Sequence, residues 1–214
     1  RDHALVELGG EVSVAAQAVT KLIRLSQLTS GFLGGLSGIN SEQTGSEKIA
    51  FLTDWLTARL DEDPTFKVVI WTQFRHDVAR LRDALASLPM EVGTLWGGSS
   101  TEERHRALRL LHPTTAPTGA VAVIGTPQSG SMGITLSGSS NVVYLNNAYS
   151  LTIRQQSEDR THRPGQTRAV SYFDVLAEGP AGQRTIDHIV LKALREKREL
   201  ADWTASAWLE ALKG

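Results

Sequence analysis

Between Arg154 and Gln166 the chain reads R-Q-Q-S-E-D-R-T-H-R-P-G-Q, and Gln156, Arg160 and Arg163 stand in the spacing Q-x-x-x-R-x-x-R. Arg160 and Arg163 are three apart, so on a helical turn they share one side. Pro164 disfavours helical geometry at Arg163, and Gly165 can turn the chain sharply afterwards. Two permanently charged, forked guanidinium groups would then be presented together at a helix end, a chemistry suited to phosphate oxygens. The same spacing also fits a plainer arrangement, an exposed helix end whose arginines pair with Glu158 and Asp159.

The rest of the chain must position these groups. Short apolar runs at Lys67–Trp71, Val92–Trp96, Ala120–Ile124, Val142–Leu145 and Val170–Val175 read as strands. Between them lie helical patterns. In 75–88, Val78, Leu81, Leu85 and Leu88 share a side, and another helix opens at Ser99–Glu103, where Ser99 and Glu102 have capping-box spacing. Strands alternating with helices predict an α/β fold, an open, mostly parallel sheet with helices on both faces. A helix is expected over Val12–Leu28, then a Gly/Ser-rich loop to Gly45, then a second helix with Ser46 as N-cap and Ile49, Leu52, Trp55, Leu56 and Leu60 on its apolar face. A last helix is expected over Thr185–Ala201, and Trp203, Trp208 and Leu209 suggest a short terminal one. The expected division is a helical lead-in and loop over 1–45, the α/β lobe over 46–180, and helices packing on the lobe over 181–214.

Composition narrows the chemistry. The net charge is −1, so any nucleic-acid face has to be local rather than global. With no cysteine and six histidines at no ligand-like spacing, no metal site is expected. There is no apolar run of about eighteen residues and no signal-peptide pattern, so no membrane partner is expected. The chain starts at Arg1 rather than Met, which raises the expectation of a piece of a longer protein.

In parallel α/β sheets, ligands gather at the carboxyl ends of the strands. Four polar loops fall there: Thr72-Gln73, Gly97-Gly98-Ser99, the small-residue loop from Gly125 and Thr126 through Gly130 to Gly133, and Asn146-Asn147, which leads into the arginine strip. Glycines and successive main-chain amides in such loops can cradle phosphates.

Taken in order, these segments resemble the Swi/Snf-type DNA translocases of helicase superfamily two. The strip resembles their motif VI, often Q-x-x-D-R-x-H-R-x-G-Q, with Gln156, Asp159, Arg160, His162, Arg163, Gly165 and Gln166 at matching positions. Val68–Phe74 resembles motif IV, and Trp96–Arg104 the glycine, serine/threonine and E-R segment. Thr126–Leu136 resembles motif V, with Gly130, Gly133, Ile134 and Leu136 matching. Leu22–Leu28 and Ser46–Lys48 resemble the approach to the second lobe, so the likeness covers about residues 20–200.

The resemblance implies the second RecA-like lobe of a two-lobed motor, with ATP in the cleft between lobes. Arg163 is then the first choice for an arginine finger reaching the γ-phosphate across the cleft, and Arg160 the second. Gln156, Gly130 and Gly133 would lie near the nucleotide. Thr72, Gln73, Gly97, Gly98 and Thr126 would contact phosphates of the tracked strand, which position a protein without reading sequence. ATP and Mg²⁺ would be held mainly by the first lobe, because no G-x-x-x-x-G-K-[ST] phosphate loop occurs here, and Asp61-Glu62-Asp63 beside Pro64 does not look like a magnesium motif. The isolated chain is therefore not expected to hydrolyse ATP. The implied partners are the first RecA-like lobe of the same full-length chain and double-stranded DNA.

The sequence departs from the family pattern at Gln128, Ser131, Met132, Asn146 and Pro164, where the family commonly has lysine, glycine, leucine, aspartate and an aliphatic. Asp159 is expected to orient an arginine, and Arg104 and Arg106 to lie at the surface. Compact motif spacing suggests a bacterial or phage enzyme, cytoplasmic and nucleoid-associated, or nuclear if the source is eukaryotic. Two other readings are a non-catalytic nucleic-acid or protein-docking domain with the same fold, and a strand-separating helicase. In the motor reading the arginines should be exposed and without partners in this chain.

Overall fold

Residues buried on both sides make near-continuous apolar strands, and three of these form the centre of the sheet. The computed structural model describes residues 10–34, 41–130 and 133–196. In it, β3 (Lys67–Trp71) lies between β5 (Val121–Gly125) and β6 (Asn141–Tyr144); β4 (Glu91–Leu95) and β7 (Ser171–Asp174) form the edges of the order β4-β5-β3-β6-β7. Every neighbouring pair is parallel, with Val69 beside Val123 and Val142.

Alternate residues feed two cores. Val68, Ile70, Ile124 and Val143 pack under α2 (Glu47–Glu62) and α3 (Arg75–Leu85). Val69, Trp71, Val123 and Tyr144 pack with Ala107, Leu110 and Leu111 at α4 (Thr101–Leu110). A third cluster joins Leu22 of α1 (Gly10–Thr29) to Ile186, Val190, Ala193 and Leu194 of α6 (Ile186–Arg195). The lead-in helix and the C-terminal helix therefore pack on each other.

Some local expectations shift. The capping box of α4 is Ser100 with Glu103, one residue beyond the predicted Ser99 and Glu102. Ser99 closes the turn after β4 instead, donating to Thr94 O and accepting from Trp96 N, both at 3.3 Å. Ser46 precedes α2 as expected, but its side chain makes no cap bond. The Gly31–Gly45 stretch, read as loop, contains an antiparallel pair, β1 (Phe32–Gly34) with β2 (Ser41–Gln43). Helix α6 ends at Arg195; the expected extension to Ala201 and the terminal segment with Trp203, Trp208 and Leu209 lie outside the described residues. No helix among the described residues is long and apolar enough to cross a membrane.

Candidate nucleotide and nucleic-acid interface

The arginine strip grows out of α5 (Leu151–Glu158), whose inner face carries the buried Arg154 and Ser157. Arg154 donates from Nε to Glu158 Oε1 at 2.6 Å and from Nη1 to Asn147 Oδ1 at 2.5 Å and Asp174 Oδ1 at 2.6 Å. Its guanidinium carbon sits 3.5 Å from the centroid of the Tyr144 ring. Asn147 Nδ2 donates to the same Asp174 oxygen at 2.8 Å, and the Tyr144 and Ser157 hydroxyls bond at 2.7 Å. Burial pushes the Tyr144 phenol well above its ordinary range. Glu158 is thus engaged by Arg154, and no salt bridge among the described residues joins either carboxylate of the plainer reading to Arg160 or Arg163.

Beyond Glu158 the chain continues as turns, and Gly165 takes φ +99°, the left-handed geometry that reverses it. The strip is laced to the loop after β5. Leu136 N donates to Arg160 O at 2.8 Å, Arg163 Nη1 donates to Gly133 O at 3.3 Å and Thr135 Oγ1 at 3.2 Å, and Gln166 Nε2 donates to Ser137 O at 3.0 Å and Ser139 O at 2.8 Å. Gly133 has φ +51°. Gly130 ends the short 3₁₀ turn that begins at Pro127.

The two arginines differ. The guanidinium of Arg160 makes no hydrogen bond or ion pair to the described residues; burial and then the positive Arg163 beside it lower its pKa, with Asp159 opposing. Arg163 is held, against the expectation that both would lack partners. Asp159 orients it through the main chain, since Arg163 Nε donates to Asp159 O at 3.0 Å. Gln156 is exposed on α5.

The other loops follow the carboxyl ends of β3, β4, β5 and β6. Thr72 is fully buried, its Oγ1 3.0 Å from Asp77 Oδ2 and 3.2 Å from Asn146 Oδ1, and it accepts from Phe74 N at the start of α3. Asn146 is the hub. Its Oδ1 accepts from Gln73 N at 2.6 Å, and its Nδ2 donates to Ser30 Oγ at 3.0 Å and Asp77 Oδ2 at 2.9 Å. Ser30 Oγ donates to Asp77 at 2.6 Å, and Arg80 reaches Ser30 O at 2.8 Å. Burial raises the pKa of Asp77 against the pull of these hydrogen bonds and of Arg80. Thr126 is buried too, bonded to Ser129 Oγ at 3.0 Å. The hydroxyls of Thr72 and Thr126 therefore shape these loops from within, while Gln73 is half-buried and Gly97 and Gly98 are exposed. A Cβ at Gly98 would lie 2.2 Å from the Trp96 ring, so that ring packs on the glycine backbone. Arg104, expected at the surface, is half-buried and bridges two loops through Trp96 O at 3.4 Å and Ser129 O at 3.2 Å.

Residues 47–165, more than half of the 214, match the helicase conserved C-terminal domain family. The chain belongs to that family. The lobe is 26% identical over 160 residues to a putative SWI/SNF-related matrix-associated actin-dependent regulator of chromatin subfamily A member 3-like 1 from Arabidopsis thaliana, covering 74% of this chain and 17% of that protein. It is 25% identical over 138 residues to an uncharacterized ATP-dependent helicase of Mycoplasma pneumoniae, covering 64% of this chain and 13% of that protein. The lobe thus spans less than a fifth of either relative. The crystal structure of the C-terminal part of the Fun30 ATPase domain superposes with a TM-score of 0.62 at 18% identity, covering 94% of this chain and 60% of that one. It is a Swi/Snf-type second lobe with an α/β, RecA-like fold.

Within the lobe, Thr72, Gln73, Gly97, Gly98 and Thr126 follow the carboxyl ends of β3, β4 and β5, whereas the strip runs from the end of α5 along the loop after β5 toward the start of β6, where Gln166 meets Ser139. The strip and the loop after β5 form one laced unit, and Thr72 and Gln73 share Asn146. Arg104 ties the loop holding Gly97 and Gly98 to the turn after Thr126. The residues missed are the buried polar ones, Arg154, Asp77, Asp174 and Ser30. A basic residue on the inward side of a helix is the one signal that could have pointed to Arg154. Among the described residues, no three His, Asp or Glu side chains gather as a metal site would need.

Proposed function

We propose that this is the second motor lobe of an ATP-dependent translocase on double-stranded DNA, supplying arginine fingers to a nucleotide bound mainly, with its Mg²⁺, by a first RecA-like lobe of the same full-length chain. The observation that carries the reading is Arg160, a half-buried cation with no hydrogen bond or ion pair to the described residues, set beside Arg163 at the end of an anchored helix. A charge arranged this way suits an anion that arrives from outside the lobe. Arg163 would act from its perch on Gly133 and Thr135, with Gln156, Gly130 and Gly133 nearby. Gln73, Gly97 and Gly98 would meet strand phosphates, with Thr72 and Thr126 holding their loops in shape. A plant relative beside a mycoplasma one leaves a bacterial or phage source without particular support, and in a eukaryotic cell the substrate would place the protein in the nucleus.

The test is DNA-stimulated ATP hydrolysis by the full-length chain. Arg160→Ala and Arg163→Ala should each lower kcat strongly, together by about 10³-fold or more, while ATP binding persists. The isolated lobe should show no turnover; Mg²⁺-dependent hydrolysis by the pure lobe that Arg163→Ala abolishes would overturn the reading. Unchanged hydrolysis in both full-length variants would instead point to a docking domain.

A further inference from the structure

Arg154 lies in none of the roles above, yet it is the most heavily engaged side chain of α5. It is 9% exposed and meets Asn147 and Asp174 at the ends of β6 and β7, Glu158 one turn along its own helix, and the Tyr144 ring face. Stability alone is a weak reason for such a group. Replacing a buried ion pair by apolar side chains of similar volume is often neutral or favourable, because desolvation offsets the attraction. What a guanidinium adds is direction: its planar fork fixes several acceptors at once, which a packed apolar side chain cannot do.

These directions matter because α5 runs straight into the arginine strip. Arg154 and Ser157 are the two buried positions of α5, and both are tied to the sheet, Ser157 through the Tyr144 hydroxyl at 2.7 Å. Arg160 comes only three residues after Ser157. The loop after β5 steadies the main chain of the strip, but nothing among the described residues holds the Arg160 side chain, so its aim depends on how α5 is seated.

We propose that Arg154 is a positioning residue for the arginine fingers: it bolts α5 to the carboxyl ends of β6 and β7 and so sets where Arg160 and Arg163 emerge. This rests on reading those two arginines as fingers. A displacement of about 1 Å at reacting groups can cost about 10²-fold in rate, so a loosened bolt reaches the chemistry without unfolding the lobe.

The experiment uses the full-length chain and DNA-stimulated ATP hydrolysis, with thermal unfolding measured on each variant. Arg154→Met should lower kcat by about 10²-fold while KM for ATP stays nearly constant, because the first lobe holds the nucleotide. Arg154→Lys should restore only part of the loss, since an ammonium cannot reach Asn147, Glu158 and Asp174 together. In an Arg160→Ala/Arg163→Ala background, Arg154→Met should lower kcat no further. A fall by the same factor in that background, or a fall in Tm with kcat intact, overturns the proposal. If Arg160→Ala/Arg163→Ala itself leaves kcat unchanged, the finger reading fails first and takes this one with it. Should Arg154→Met not fold, Asp174→Asn, which keeps the volume and weakens the bolt, should give the same kcat-only defect in smaller measure; unchanged kcat in that variant overturns the proposal.

Discussion

Few side chains can accept from a main-chain amide at one end and donate to a carboxylate at the other, and Asn146 does both while almost fully buried. An aspartate at this position would set a second carboxylate 2.9 Å from Asp77 Oδ2. Asn146→Asp should therefore destabilise the lobe by about 3 kcal/mol at neutral pH, read by denaturant unfolding. The sign with pH is fixed. Burial already raises the Asp77 pKa, and a second carboxylate raises it further, so the folded variant holds a proton more tightly than the unfolded chain. Its deficit shrinks as pH falls through that raised pKa and is full above it. The swap Asp77→Asn/Asn146→Asp should recover most of the loss. Asn146 was visible in the sequence as a departure from the family pattern. Its reason was not, because Asp77 lies 69 positions away and a single sequence carries no mark of the pairing.

At the scale of elements, α1 is tied down by a tyrosine. The Tyr149 hydroxyl bonds to Ser26 Oγ and donates to Leu22 O at 2.8 Å, and burial pushes its pKa up to about 12. A folded-state pKa raised above the unfolded value contributes stability that is present below pH about 10 and is lost as pH rises toward 12. The tyrosinate cannot donate to Leu22 O. Wild type should exceed Tyr149→Phe in unfolding free energy at pH 8, with the gap narrowing steadily above pH 10, followed by denaturant titrations at each pH. Elements differed in how well they could be read. Val68–Trp71 and Val121–Ile124 are buried on both faces and therefore appear as unbroken apolar runs. The β1–β2 pair did not show, because only Phe32 in it is a large buried apolar residue and the stretch is punctuated by glycine and serine. Two adjacent serines at 99 and 100 put the cap one residue off, a choice that only the turn after β4 decides.

For the molecule as a whole, a buried ion pair joins α2 to α6 beside the apolar contact of α1 with α6. Lys48 of α2 donates to Leu145 O at 3.0 Å and pairs with Asp187 of α6 at 2.6 Å; Asp187 also accepts from Thr29 Oγ1 at 3.0 Å and Ala177 N at 2.9 Å. Burial lowers the pKa of Lys48, and Asp187 opposes that shift. Lys48→Met strands the Asp187 carboxylate and should cost about 3–5 kcal/mol. Amide hydrogen exchange should show α6 losing protection before β3 and β5, because the pair fastens the periphery and not the sheet. This seam joins residues 139 positions apart and left no trace in the sequence beyond the likeness around Lys48. The lacing of the strip has a consequence of another kind. Gln166 grips the main-chain oxygens of Ser137 and Ser139, which every amino acid possesses. That grip by itself asks for a fixed number of residues and not for a particular side chain: one insertion or deletion between 133 and 140 would slide the carbonyls out of reach, so a library built on this lobe should leave length alone there and also keep Leu136, which is fully buried, and Gly138, where a Cβ would meet the Leu111 backbone.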